Sequence, residues 1–516
     1  YYSKNKVKLY GGGVSFHQCT AAHILKVEFM ENLSQKYGGG LFLENGKIIK
    51  SRSSVFAMNV AKDYGAGFYG DRINQATFER CKFLSNGVLK NDGGGLYTYI
   101  PDSIIIVKTL FIKNKANNGA GVKVECGKAI ITRNAIFFKN QAKRYGGGIH
   151  IYKMKTFKNL FCYFNRNVGK LQGGGLSIVE SKLVENFHIS LTRNMARSGG
   201  GIYISTLSIF ECLNCTVIGN VAITYGAGIR LYDVKKNQIV HSLFTNNRNE
   251  ALGAYYFTHL TNINCTFSDN EISTINAYKG EMLINRNCVF TNNTSEDCSV
   301  IYIESCKFIF TQRTLFANNN STKDHKVLYV YISQFVININ NTYQNNAARK
   351  TDGIYTFSNI KLTKYISCIF KGNRIYIMGS VVRIHKIFNI LVSNCSFAQE
   401  KSESEIGVFY VIYAKITLIV KTYFCEIIAK NAAVGKFVAC DIVLIAECSL
   451  VKNSAQEFGG GVHFDDSYKI AIFKTIFQNN NARKGACVSA IKIKHMTITK
   501  SKLQNNAVTA EGGCIY

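Results

Sequence analysis

Apolar and polar residues alternate in short runs along the whole chain, and these runs recur at one fixed period. The first landmark is an aromatic or aliphatic residue followed three positions later by Asn. It reads FMEN at 29–32, FAMN at 56–59, FLSN at 83–86, FIKN at 111–114, FFKN at 137–140 and FNRN at 164–167. The pattern continues through FTNN at 290–293, FKGN at 370–373 and FQNN at 477–480. Successive copies lie 26–28 residues apart, except for two steps of 23 between 244 and 290. The second landmark follows about ten residues later and is a glycine triplet before an apolar residue. Examples are GGGV at 11–14, GGGL at 38–41, GAGF at 65–68, GGGI at 146–149 and GGGV at 459–462.

A fixed period in the 20–50 range marks a solenoid, propeller or array. Helical repeats are excluded, because triple Gly and β-branched alternation would break every helix. Propeller blades need about 40 residues each, and leucine-rich repeats need a Leu spacing that is absent here. Short strands turning on Gly and Asn fit a three-strand coil. The fold expected is all-β: a right-handed parallel β-helix of about nineteen coils of 26–27 residues. Residues 1–243 read as regular coils, 244–435 as degenerate coils in which the glycine triplet fades, and 436–516 as regular coils again, in one continuous solenoid.

Each landmark then has a structural task. Phe29, Phe56, Phe83, Phe137, Phe290, Phe370 and Phe477 should point inward and stack coil on coil, about 4.8 Å apart. Asn32, Asn59, Asn86, Asn140, Asn293, Asn373 and Asn480 should form an amide ladder and occupy a left-handed corner. Two coils keep the Phe and lose the Asn: Phe397 precedes Glu400, and Phe424 precedes Ile427. The single Pro, Pro101, agrees with a chain that is nearly all paired strand.

The chain carries 17 Cys. Cys81, Cys162, Cys215, Cys265, Cys288, Cys368, Cys395 and Cys448 each sit two residues before a landmark apolar residue. Residues i and i+2 share a strand face, so these thiols should point inward as small hydrophobes. Cys265–Cys288, Cys368–Cys395 and Cys487–Cys514 fall on adjacent coils and could bridge. Cys212 and Cys215 form a CxxC that, on a plain strand, faces opposite sides, which argues against a redox or zinc site.

Charge adds one feature. The net charge is +30, so the surface should attract acidic glycans or an acidic protein surface. Lys outnumbers Arg and no nucleic-acid motif appears, so no specific nucleic acid is expected. No run reaches the roughly 18 apolar residues of a membrane span. The first residues, Tyr1-Tyr2-Ser3-Lys4, show no signal peptide. Both ends cut through the repeat, which leads to the expectation of end-to-end self-association or of neighbouring segments of a longer chain.

Candidate chemistry is sparse. Gly65–Gly70 matches GxGxxG but lies inside the repeat, which explains it. Apolar residues follow the glycine triplets where calcium-binding β-rolls need Asp, and no metal or cofactor is expected. His463 with Asp465 and Asp466 is the one candidate acid–base cluster, and successive residues on a strand point apart. Sequons at Asn32, Asn214, Asn264, Asn293, Asn320, Asn340 and Asn394 are candidate glycosylation sites. Asn214, Asn264 and Asn394 precede an inward Cys and should face solvent.

The paired F-x-x-N and G-G-[AG]-[ILV] landmarks resemble the repeats of chlamydial polymorphic outer membrane proteins, over essentially the whole chain. The resemblance implies a β-helix displayed at the cell surface, often adhesive, and offers no catalytic residues to transfer. The function expected is a non-enzymatic, extracellular structural or adhesive β-helix, potentially a segment of a filament. Two alternatives stay open: a polysaccharide-active lyase or hydrolase of β-helix fold, and a basic intracellular scaffold docking on an acidic lattice. Function should reside in the irregular stretch, about 244–435.

Overall fold

The computed structural model describes residues 1–295, 299–322, 326–403 and 406–516, with the backbone alone at 350–352 and 378. The described residues are all-β, parallel strands stacked as a solenoid. The chain divides into two compact units, Tyr1–Leu260 and Thr261–Tyr516.

In the first unit, three-residue strands such as Glu28–Met30, Val55–Ala57 and Lys82–Leu84 pair in parallel register, coil on coil. That register places Phe29, Phe56, Phe83, Phe111, Phe137 and Phe164 one above another. Their rings are nearly parallel, with centroids 4.6–4.9 Å apart. All six are buried. The spacing is that of neighbouring strands, so the aromatic stack and the backbone ladder share one repeat.

The Asn column beside it is fully hydrogen-bonded. Asn59 donates from its backbone N–H and from Nδ2 to Asn86 Oδ1, at 3.1 and 3.0 Å. Its Nδ2 also donates to the Phe29 carbonyl at 2.8 Å. Its Oδ1 accepts from the backbone and side-chain amides of Asn32. Both amide protons and both acceptor lone pairs are therefore used, which removes the penalty of a buried amide. The corner role expected of this Asn belongs to its predecessor. Glu31, Met58, Ser85, Lys113 and Lys139 hold φ of 52–55°, and the ladder Asn residues do not. The left-handed position accepts many side-chain types, among them Glu31, Met58 and Lys113, and Asn is kept at the next position, where its amide is needed.

The glycine triplet divides its tasks. Gly38 turns the corner at φ 65°. Gly40 has ordinary φ but no room for a side chain: a Cβ would sit 2.7 Å from the Gly67 carbonyl oxygen. Close backbone approach therefore selects Gly there.

The second unit keeps both columns with less regular corners. Phe267, Phe290, Phe316, Tyr343, Phe370, Phe397 and Phe424 stack at 4.4–5.1 Å. The short step from 267 to 290 keeps this stack, and the Asn270 amide bonds Asn293 Oδ1 at 3.0 Å. Long strands replace the glycine turns, such as Leu328–Ile339, Ala347–Ile366, Arg374–Ser393 and Phe409–Val420. The Asn column runs to Asn373, which donates to Glu400 from its backbone N–H and Nδ2, both at 3.1 Å. Glu400 is buried, and burial holds its carboxyl well above the usual range. At Ile427 the column has no amide; its backbone N–H still donates to Asn453 Oδ1 at 3.2 Å.

The eight inward cysteines expected from the sequence are buried beside the Phe column, seven of them as thiols. The three coil-to-coil bridges are not formed: Cys265, Cys288, Cys368, Cys395, Cys487 and Cys514 are not disulfide-bonded. In-register parallel rungs hold side chains about 4.8 Å apart, whereas a disulfide draws Cβ atoms to about 3.8 Å. Among the described residues, a disulfide joins Cys212 to Cys215. The expectation that these two face opposite sides fails because Asn214 between them is left-handed, at φ 52°. One such residue turns the chain, and both cysteines end buried inside.

Candidate functional site

A groove of about 710 Å³ runs across six coils of the second unit. That size is in the range of ligand sites, roughly 300–1,000 Å³. It is built from one corner tripeptide per coil. The corner residue of each is left-handed: Ser305, Ile332, Asn359, Lys386, Tyr413 and Ala439 have φ of 50–58°. Next comes a buried residue that forms the floor: Cys306, Ser333, Ile360, Ile387 and Ala414. The third residue stands on the opposite wall: Lys307, Gln334, Lys361, Phe388, Lys415 and Asp441. Strand pairing fixes the stacking, with Ser333 against Ile360, Ile360 against Ile387 and Ile387 against Ala414.

The groove combines positive charge with exposed apolar surface. Lys307, Lys361, Lys386 and Lys415 line it, against Asp441 as the one lining carboxylate. Lys307 pairs with Glu281 at 3.1 Å, with both side chains about half exposed, so that pair is weak. Lys361 and Lys386 join no ion pair among the described residues. Lys415 Nζ lies 4.5 Å from the centroid of the Phe388 ring, a cation–π contact. Phe388 is 52% exposed and Tyr413 57% exposed, and with the exposed Ile332 they give this groove its apolar surface.

Nucleophilic chemistry is not prepared at the floor. Burial pushes the Cys306 thiol up to about 12, so it stays protonated at neutral pH. Among the described residues, no group of three or more His, Cys, Asp or Glu is gathered to hold a metal ion.

The other sequence-derived candidates fall elsewhere. His463 is buried, with Nδ1 3.1 Å from Ser489 Oγ. Burial and nearby Lys436 lower its pKa to about 4, so it is neutral. Asp466 sits at a left-handed corner, exposed, one residue beyond the strand Val462–Asp465. Asp465 is near enough to His463 to oppose the lowering of its pKa, but Asp466 sits apart at its corner, so the two carboxylates do not pair around the imidazole. Lys123 is a second cluster of shifted groups: it is buried, with Nζ 2.7 Å from Glu125. Burial lowers its pKa, and Glu125 and Asp92 oppose that shift. The pair lies among side chains rather than in a groove and reads as a structural ion pair.

Two sequons are corrected by the fold. Asn32 and Asn293 are buried members of the amide column, with Nδ2 already donating to neighbouring coils, so neither can carry a glycan in the folded chain. Asn264, Asn340 and Asn394 are exposed at left-handed corners, Asn320 is exposed in a strand, and Asn214 is half-buried at its corner.

The groove itself lies at 305–441 and so overlaps the irregular stretch singled out by sequence. Its residues were not. Aligning the tripeptides SCK, ISQ, NIK, KIF, YAK and ACD at the coil period displays the lysines, but not that this corner is concave.

No protein-family profile and no curated protein matches this sequence. Among solved structures, the chain is similar to the PL6 family alginate lyase AlyGC, at 9% identity and a TM-score of 0.22, over 99% of this chain and 97% of that one. A point mutant of the same lyase aligns at 7% identity and a TM-score of 0.13, over 99% and 97%. Overlap that low carries no argument about activity.

Proposed function

We propose that this protein is a non-enzymatic, surface-displayed β-solenoid that binds an anionic polysaccharide along the groove at 305–441. The observation that carries this reading is the groove's composition: four lysines interleaved with the exposed rings of Phe388 and Tyr413, on coils about 4.8 Å apart. Cations meet carboxylate or sulfate groups, and aromatic faces cover the apolar faces of sugar rings. Rigid strands fix both at one spacing, so little ordering entropy is lost on binding. Exposed sequons at Asn264, Asn320, Asn340 and Asn394 support an extracellular setting. The resemblance to polymorphic outer membrane protein repeats supports an adhesive role.

The test is calorimetric titration with short polyuronate and neutral oligosaccharides of equal length. The triple variant Lys361→Gln, Lys386→Gln, Lys415→Gln should lose at least tenfold in affinity for the acidic oligosaccharide while its fold is kept. Unchanged affinity would refute the site. A second reading, polysaccharide cleavage, is favoured by Tyr413 lining the groove together with Lys386 and Lys415, a phenol and two cations in one groove. Release of unsaturated or reducing ends from an acidic polymer would establish it in place of simple binding.

A further inference from the structure

The first unit carries an unrelated surface with its own charge pattern. In four consecutive coils, the segments 111–119, 137–146, 164–173 and 191–199 link the landmark apolar residue to the glycine triplet. Together these segments hold nine Lys and Arg and no Asp or Glu. Lys113, Lys139, Arg166 and Arg193 occupy the left-handed corner of successive coils, with φ of 52–55°. Lys143, Lys170 and Arg197 form a second column, each following the inward Ala142, Gly169 or Ala196, which pair in register. Lys115 and Arg144 stand beside these columns. All but the half-buried Lys139 are exposed.

None of the nine joins an ion pair among the described residues. The carboxylates of the same coils serve lysines on other faces: Glu125 pairs with Lys123, Glu180 with Lys153 and Glu185 with Lys158. The strip is bounded. The preceding coil brings Asp92, and the following one places Gly219 and Ile223 where the columns would continue. Like charges stacked about 4.8 Å apart repel one another, a cost that a bound polyanion removes.

We propose that this strip docks a linear polysaccharide bearing carboxylate or sulfate groups, separately from the groove of the second unit. Both columns follow the stacking direction of the coils, which matches a ligand whose charges repeat along one line. A bilayer surface would call for an apolar face to insert. Met195 is the one large apolar residue exposed in these segments. Single-stranded nucleic acid would call for exposed rings on which bases stack. The rings outside the buried Phe column are half-buried and already covered: Tyr145 under Arg144, with its hydroxyl 3.1 Å from Arg144 Nη2, and Phe138 with Lys139 Nζ 5.1 Å from its centroid.

The experiment uses the full chain carrying the groove substitutions Lys361→Gln, Lys386→Gln and Lys415→Gln, so that failure of the groove reading leaves this one testable. Its binding to a long polyuronate, a long sulfated polysaccharide and neutral dextran is measured across a salt series. The expected result is binding to either or both acidic polymers, none to dextran, and affinity that falls steeply with salt. Adding Lys143→Gln, Lys170→Gln and Arg197→Gln should weaken acidic-polymer binding at least tenfold at low salt. It should also reduce the slope of log K against log salt by about 2, at about 0.7 per neutralised charge. Circular dichroism and melting of the two variants should coincide. Unchanged affinity and slope would overturn the proposal. So would equal or tighter binding to single-stranded DNA or to anionic phospholipid vesicles, with the same dependence on these residues.

Discussion

Replacing Glu400 with Gln should stabilise the second unit at neutral pH, by an amount that depends on pH in a defined direction. Glu400 occupies an amide position in the Asn column and is 1% exposed. It accepts two hydrogen bonds from Asn373, and these favour its charged form. Burial outweighs them, so its folded-state pKa lies well above the ordinary 4.5. The sign follows from linkage. Below pH 4.5 the carboxyl is protonated in both folded and unfolded chains and costs nothing. As pH rises past 4.5 the unfolded chain ionises first, so stability is lost progressively until pH exceeds the folded-state pKa. Gln keeps one of the two acceptor oxygens, which can take both Asn373 donors as Asn373 Oδ1 takes both from Asn346, and it removes the titration. Leaving a buried polar group poorly compensated costs about 1–3 kcal/mol, and more for a charged one, so the gain at pH 8 should be on the order of 1–3 kcal/mol. Thermal melts of both proteins at pH 4, 6 and 8 measure it, and the difference between them cancels every other titrating group. Hydrogen exchange at the Asn373 amide, which donates to Glu400, gives the local readout. Equal pH dependence of the two proteins, or a wild type more stable than the variant at pH 8, would refute the reasoning.

Two further outcomes follow from the columns. Phe137→Ala should cost about 3–5 kcal/mol in chemical denaturation, because this buried ring stacks on Phe111 at 4.9 Å and on Phe164 at 4.7 Å. Thiol mapping of the chain, unfolded under non-reducing conditions, should find Cys212 and Cys215 oxidised to one another. Cys265, Cys288, Cys368, Cys395, Cys487 and Cys514 should all alkylate, and a disulfide between any of those adjacent-coil pairs would contradict the register described.

The inward positions were legible because a solenoid repeats its burial pattern. Phe83, Asn86 and Cys81 declare one face by spacing alone, and the structure buries all three. Corners were less legible. A left-handed residue resets the alternation of a strand, and side chains as different as Glu31, Met58 and Ile332 occupy that position once the coils on either side hold it. Glu31 and Lys113 give no local sign of a turn, so the corner was assigned to the neighbouring Asn. The same reset brings Cys212 and Cys215 together across Asn214. The sequon at Asn32 misled for a related reason: the motif that invites a glycan coincides with the motif that buries an amide. The groove was hidden because concavity arises from the angle between strands over several coils. No single tripeptide such as Asn359-Ile360-Lys361 encodes it.

The central claim is that the groove at 305–441 holds an anionic sugar chain without altering it. The most direct measurement incubates the chain with a defined polyuronate oligosaccharide, titrates the complex by calorimetry and then measures the length of the recovered sugar. Saturable binding that weakens with salt, absence of binding to the neutral oligosaccharide, and recovery of intact sugar are the predicted results. No acid-selective binding, or recovery of shortened products with new unsaturated ends, would contradict the account.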